Sequence, residues 1–149
     1  MNDIYHQGNR ELQDQFDSRK LADRVSDIIV HDKISDEERR FITTCDMFFI
    51  SSVDEQGRPT VSYKGGDAGF VRVIDETNIA FPDYDGNGMF LTAGNIASTH
   101  EVGLLFIDLE NPQRLRLHGT ATIAINDPLL SEYVDANAII RITVRNLFL

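Results

Sequence analysis

The chain has 149 residues with 14 basic and 24 acidic side chains, a net charge of −10. That length suits one domain, residues 1–149, and the acidic excess argues against general nucleic-acid binding, which needs clustered Lys and Arg on phosphates. A single cysteine, Cys45, excludes an internal disulfide framework, and no apolar run approaches the roughly 20 residues of a membrane helix. With no apolar core in the first twenty residues, the expectation is a soluble, cytoplasmic protein.

Met1 to Arg10 reads as a frayed terminus, and residues 10–45 as a helical segment. Leu12, Phe16, Leu21, Val25, Ile28 and Ile29 recur at steps that predict one buried helical stripe. Ser35-Asp36-Glu37-Glu38 is a capping box, so a second helix is predicted from Ser35 to about Cys45, burying Phe41 and Ile42. From Met47 the texture changes to strands. Phe48-Phe49-Ile50 leads through a turn at Glu55 to Arg58 into Pro59 to Lys64, with Val61 and Tyr63 on one face and Ser62 and Lys64 on the outward one. Strands follow at Phe70 to Ile74, Ile79 to Phe81 and Val102 to Leu109, with a weak helix over Met89 to Thr99. Leu115 to Ile125 alternates most clearly, setting Arg114, Arg116 and His118 on one face. One or two helical turns begin at Asp127-Pro128, and Ile140, Ile142 and Val144 mark a last strand before the apolar end Leu147-Phe148-Leu149, which is either buried or followed by more chain. The predicted class is mainly β with flanking helices (α+β), six or seven antiparallel strands closing into a small barrel to hide their edges.

Most chemical motifs fail on spacing. Asp83-Tyr84-Asp85-Gly86-Asn87-Gly88 starts like a calcium loop, but its twelfth position is Gly94; a turn with Asn87 or Gly88 at positive φ is the simpler reading. The four histidines do not fall at ligand spacing, so no metal site is expected. Cys45, late in a predicted amphipathic helix, reads as a buried structural thiol. Two features remain. Ser62 and Lys64 run into Gly65-Gly66, where bare backbone can approach a flat ligand. Arg114, Arg116 and His118 make a positive stripe in an acidic chain, consistent with solvated surface, an anion site or a subunit interface.

The hairpin Phe48-Phe49-Ile50-Ser51-Ser52-Val53-Asp54 and Gly57-Arg58-Pro59-Thr60-Val61-Ser62 resembles the opening of the pyridoxamine 5′-phosphate oxidase-like flavoproteins. The resemblance continues through Lys64-Gly65-Gly66, Phe81-Pro82-Asp83, Gly94-Asn95-Ile96, Val102 to Phe106 and Arg114 to Gly119, covering about Met47 to Tyr133. It implies a split β-barrel and a homodimer with FMN at the interface. Ser62, Tyr63 and Lys64 would lie along the flavin ring, bordered by Phe81, Pro82 and Asp83. Asn87, Gly88, Met89 and Thr92 would take the phosphate, with Arg114 and Arg116 approaching from the interface strand. Gly88-Met89 stands where many relatives carry a basic pair, so the charge on the phosphate must be met elsewhere. The C-terminal segment of the true oxidase is not evident, and its activity is not carried over. The implied function is an FMN-dependent oxidoreductase acting on a small molecule, with Lys64 stabilising the reduced ring. The alternative is a non-catalytic module for flavin, deazaflavin or haem.

Overall fold

A computed structural model describes residues 4–84 and 86–148. Met1 to Asp3 of the expected frayed terminus, Asp85 of the calcium-like loop and Leu149 of the apolar end lie outside the described residues.

The elements run α1 (Gln7–Gln15), α2 (Arg19–Ile29), α3 (Asp36–Thr44), β1 (Met47–Val53), β2 (Pro59–Gly65), β3 (Arg72–Asp75), β4 (Asn78–Asp83), α4 (Leu91–Thr99), β5 (Glu101–Asp108), β6 (Gln113–Ala124), a 3₁₀ turn (Pro128–Glu132) and β7 (Ala138–Phe148). The strands form one antiparallel sheet in the order β2-β1-β5-β6-β7-β4-β3. The expected mainly β fold of antiparallel strands is present, and the barrel is split rather than closed: β2 and β3 remain the two edges of the sheet. Side chains rather than ladder hydrogen bonds bring its ends together. Phe48 of β1 stacks on Phe70, just before β3, at 5.8 Å, and meets Phe81 of β4 edge-on at 4.9 Å and Phe106 of β5 at 5.2 Å. Aromatic pairs at such separations add favourable geometry to large buried areas. The alternating residues Leu115, Leu117 and Ala121 of β6 and Ile140, Ile142 and Val144 of β7 complete this core, while Ile125 projects outward.

Three local expectations change. The N-terminal region is helical from Gln7, so part of the expected fray is ordered, with His6 capping α1. The chain reverses at Asp17, in the left-handed region at φ 53°, making two helices of the expected continuous stripe. That stripe is not buried: Phe16 is 73% and Ile28 80% exposed, and no residue of α1 or α2 is buried. Apolar periodicity defines a helix face but cannot supply the surface that covers it. The two helices are tied to each other by the Arg10–Asp23 ion pair at 2.7 Å and by Tyr5 Oη donating to the Ala22 carbonyl at 2.9 Å.

The capping box at α3 forms as predicted. The Ser35 hydroxyl accepts from Glu38 N–H at 3.1 Å, and the Glu38 carboxylate accepts from Ser35 N–H at 2.9 Å. Ile42 is fully buried and Phe41 packs at the core margin. Glu38 also receives His31, whose Nε2 lies 2.7 Å from Oε2, while His31 Nδ1 lies 2.7 Å from the Ile29 carbonyl oxygen. Both ring nitrogens face acceptors, a pattern that only the imidazolium satisfies. Burial opposes that charge, but the hydrogen bonds to Glu38 and Ile29 outweigh it and raise the His31 pKa above its ordinary value. A raised folded-state pKa contributes stability fully below the unfolded value and loses it as pH rises through the folded one. Glu38→Gln keeps the capping pattern and removes the charge. In urea unfolding, the stability advantage of wild type over this variant should therefore shrink as pH rises past about 6.5, the ordinary histidine value, through the raised folded-state value. A pH-independent difference would contradict the ion pair. His31 also exchanges backbone hydrogen bonds with Leu147 (3.1 and 2.8 Å), which places Leu147, at the apolar end, in the core.

Candidate functional site

The register of β1 with β2 settles which side of the hairpin faces inward. Phe48 pairs with Lys64, Ile50 with Ser62 and Ser52 with Thr60. Directly opposed residues share one face of a sheet, so the face carrying Phe48 and Ile50 into the core also carries Lys64 and Ser62 inward. This reverses the expected outward placement of Ser62 and Lys64. It is Val61 and Tyr63, 69% and 63% exposed, that point away from the core.

Beyond the apolar core this polar half-face meets the end of β4 and the start of α4. The result is a cavity of about 320 Å³ lined by Ser62, Tyr63, Lys64, Asp83, Asn87 and Thr92 among others. It lies at the lower end of the roughly 300–1,000 Å³ of small-molecule sites. Thr92 Oγ1 donates to Ser62 Oγ at 3.1 Å and is itself buried. Lys64 Nζ stands 4.0 Å from Oδ1 of Asp83, a carboxylate only 3% exposed. The Asn87 side chain accepts from Met89 N–H at 2.9 Å, Gly88 adopts φ 75° as the turn reading predicts, and Phe90 enters α4 from the left-handed region at φ 53°. A non-glycine residue there is strained by of order 1–3 kcal/mol, a cost often found at ligand sites.

Among the described residues, the N-cap residue Phe90 makes no side-chain capping hydrogen bond to α4. The first N–H groups of a helix lack intrahelical acceptors and carry the positive end of its dipole, so this turn can take an anion. The helix is held firmly in place. Asn95 Nδ2 donates to Ser52 Oγ at 3.0 Å, Thr99 Oγ1 to the Val53 carbonyl at 2.9 Å, and Ser98 Oγ to Glu55 at 2.8 Å.

Of the residues singled out in the sequence, Ser62, Tyr63, Lys64, Asp83, Asn87, Met89 and Thr92 line this cavity. Gly88 lies between two lining residues. Phe81 does not line it: it is wholly buried among Phe48 and its neighbours, with Pro82 buried beside it. Arg114 and Arg116 are also elsewhere. Arg114 borders a larger groove of about 1090 Å³ between α3 and the β5–β6 hairpin, and the Arg116 guanidinium lies 5.9 Å above the Phe148 ring. His118 is not a charged member of the stripe at neutral pH, since burial and then Arg145 lower its pKa. Tyr84, Gly86, Phe90, Leu91 and Ala93 line the cavity without having been named as cofactor contacts. Their adjacency to Asp83 and Thr92 was the available signal. Cys45 is buried, and burial raises its thiol to about 11, in keeping with a structural role.

The pyridoxamine 5′-phosphate oxidase family model matches residues 34–145. No curated protein matches the chain. Among solved structures, a Lactobacillus delbrueckii protein assigned to the pyridoxamine 5′-phosphate oxidases is similar at 20% identity and TM-score 0.65, covering 80% of this chain and 96% of its own. An FMN-binding protein from Syntrophomonas wolfei is similar at 7% identity and TM-score 0.56, over 92% and 95%. HutZ, the haem storage protein from Vibrio cholerae, is similar at 17% identity and TM-score 0.55, over 78% and 94%. At these identities the likeness establishes a shared fold.

Proposed function

Because the chain belongs to the pyridoxamine 5′-phosphate oxidase family, we propose that its cavity binds FMN and that the protein is an FMN-dependent oxidoreductase, working as a homodimer with the cofactor at the interface. The observation that carries this reading is the convergence of the first turn of α4, the Ser62–Thr92 hydroxyl pair and the Lys64 ammonium on one cavity. That donor set fits a planar ligand bearing a phosphate. The first turn of α4, with Thr92, binds the phosphate through N–H and hydroxyl donors, which answers the lack of a basic pair at Gly88-Met89. Lys64, on β2, would stand beside the ring, where its cation would favour electron-rich states. A bound flavin supplies the electron transfer; the chain orients it and shields it from water.

Flavin is favoured over haem because none of the four histidines lines the cavity among the described residues. The placement of the arginines supports the homodimer reading. Arg114 and Arg116 lie away from the cavity of their own chain, so a role at the phosphate requires the second copy to bring them. No helix is long and apolar enough to cross a membrane among the described residues, so the ligand is expected to be met in water.

A fluorescence titration of FMN and riboflavin tests these assignments. Wild type should bind about one FMN per chain and riboflavin, which lacks the phosphate, more weakly. Losing one charge-assisted hydrogen bond costs about 1.5–3 kcal/mol, so the arginine that reaches the phosphate should weaken FMN by about 10- to 150-fold when changed to Ala. Riboflavin should then lose little. Equal losses for both ligands would move that arginine to the ring or the dimer contact, and no loss in Arg114→Ala or Arg116→Ala would return the stripe to solvated surface. Reduction of the bound flavin by NADH or NADPH would support turnover, whereas a coloured but redox-inert complex would support the binding module.

A further inference from the structure

The groove of about 1090 Å³ between α3 and the β5–β6 hairpin shares no lining residue with the cavity. Phe41, Ile107 and Leu109 give it apolar walls, joined by Ile28 and Ile29 at the C-terminal end of α2. Arg40 and Arg114 line it too; both are exposed, and neither makes an ion pair among the described residues. Beyond Ile28 the apolar stripe continues along the α1–α2 arm, where Leu12, Phe16, Leu21 and Val25 are exposed. α2 has 11 residues and is roughly 16 Å long, so it holds the Phe16 tip well away from its own groove. Phe16 is accordingly absent from the groove's lining.

We propose that the arm of one copy of this chain docks in the groove of a second, each giving its Phe16 tip to the other about a two-fold axis. Such a contact is self-complementary, as a two-fold interface requires. The six apolar side chains of the arm expose roughly 500 Å². That is as much as the largest apolar patch of a typical monomer. Arm and groove together bring each chain close to the roughly 800 Å² per partner of a standard interface. Charge agrees with this pairing: Asp17, exposed next to Phe16 and in no ion pair among the described residues, meets Arg40 and Arg114 of the groove. A lipid surface fits less well. Residues 7–29 carry five acidic and four basic side chains, whereas interfacial helices are rich in Lys and Arg. The arm contact shares the homodimer with the reading above and needs no cofactor. With Arg114 closing on the arm, Arg116 is the arginine left to reach a phosphate.

The test mixes two full-length variants, Phe16→Cys and Leu109→Cys, under mild oxidation and reads covalent dimers on a non-reducing gel. Cys45 is buried and contributes little background. Both substituted positions are largely exposed in their own chain, so the variants should fold, which thermal melts check. The mixture should cross-link and neither variant alone should. Sedimentation across concentrations should show Phe16→Ser weakening the dimer by about 30-fold or more, the effect of removing one hot-spot side chain. Cross-linking of Phe16→Cys with itself would mean that the arms meet each other, and would overturn the groove as their site. A dimer that neither cross-links in the mixture nor weakens in Phe16→Ser would overturn the arm contact and leave the homodimer reading standing. A wild type that stays monomeric at micromolar concentration would overturn both, and its binding to phosphatidylglycerol vesicles would give the stripe to a lipid surface instead. Cross-linking in a protein that takes up no FMN would support the arm contact and overturn the flavin reading alone.

Discussion

Phe48→Ala is expected to lower unfolding free energy by about 3–5 kcal/mol, the range for removing a buried aromatic side chain. For a chain of this length each kcal/mol moves the melting midpoint by roughly 2–4 °C, so a calorimetric scan should show a fall of roughly 6–20 °C. The site is sensitive because Phe48 is fully buried and its ring meets Phe70, Phe81 and Phe106, from three other parts of the chain. A cavity there would loosen the contact that draws the two ends of the sheet together. Phe48 is also paired with Lys64 across β1 and β2, so FMN affinity should fall in the same variant even below its melting temperature. A drop of less than about 1 kcal/mol would mean that neighbouring rings collapse into the space, contrary to the rigid packing described.

Gly119→Ala is expected to cost at the upper end of the roughly 1–3 kcal/mol of an overpacked core, or more. Gly119 sits beside the register shift between β6 and β7, and a Cβ on it would collide with the Thr143 carbonyl oxygen and crowd the Ile142 side chain. A rigid ladder oxygen cannot rotate away as a side chain can, so β6 or β7 must move. Chemical denaturation measures the loss. The contrast is Gly94→Ala in α4, where a Cβ meets nothing within 4 Å. Alanine is also the better helix former by about 0.8–1.0 kcal/mol, so that variant should be at least as stable as wild type. Equal stability of the two variants would refute the close approach at Gly119.

Much of the fold could be read from local order. The capping box located α3 to within a residue because its two hydrogen bonds depend only on positions three apart. The alternation in β6 and β7 identified their core faces because side chains of a strand point alternately to opposite sides. The family resemblance, carried by several short blocks in order, named seven residues that converge on one cavity. Those blocks were legible because the turns and strand ends they contain impose their own backbone chemistry.

What local order cannot supply is which surface an element meets. The apolar spacing of Leu12 to Ile29 marks a helical face in sequence, yet only the tertiary arrangement leaves it exposed, because α1 and α2 turn back at Asp17 and pack on each other. Alternation in β2 separates Val61 and Tyr63 from Ser62 and Lys64, but hydrophobicity alone assigns the wrong pair inward. The pairing of β2 with β1 decides it, since Phe48 and Ile50 have more to bury and take their opposed neighbours with them. Arg114 and Arg116 likewise lie on a strand legible in sequence, while their distance from the cavity is a property of sheet order. Composition and periodicity by themselves determined an acidic, mainly β chain with a capped helix starting at Ser35. The inward polar half-face, the Asp83–Lys64 pair and the open sheet edges were decided by long-range strand pairing, whose energy depends on residues far apart in the chain.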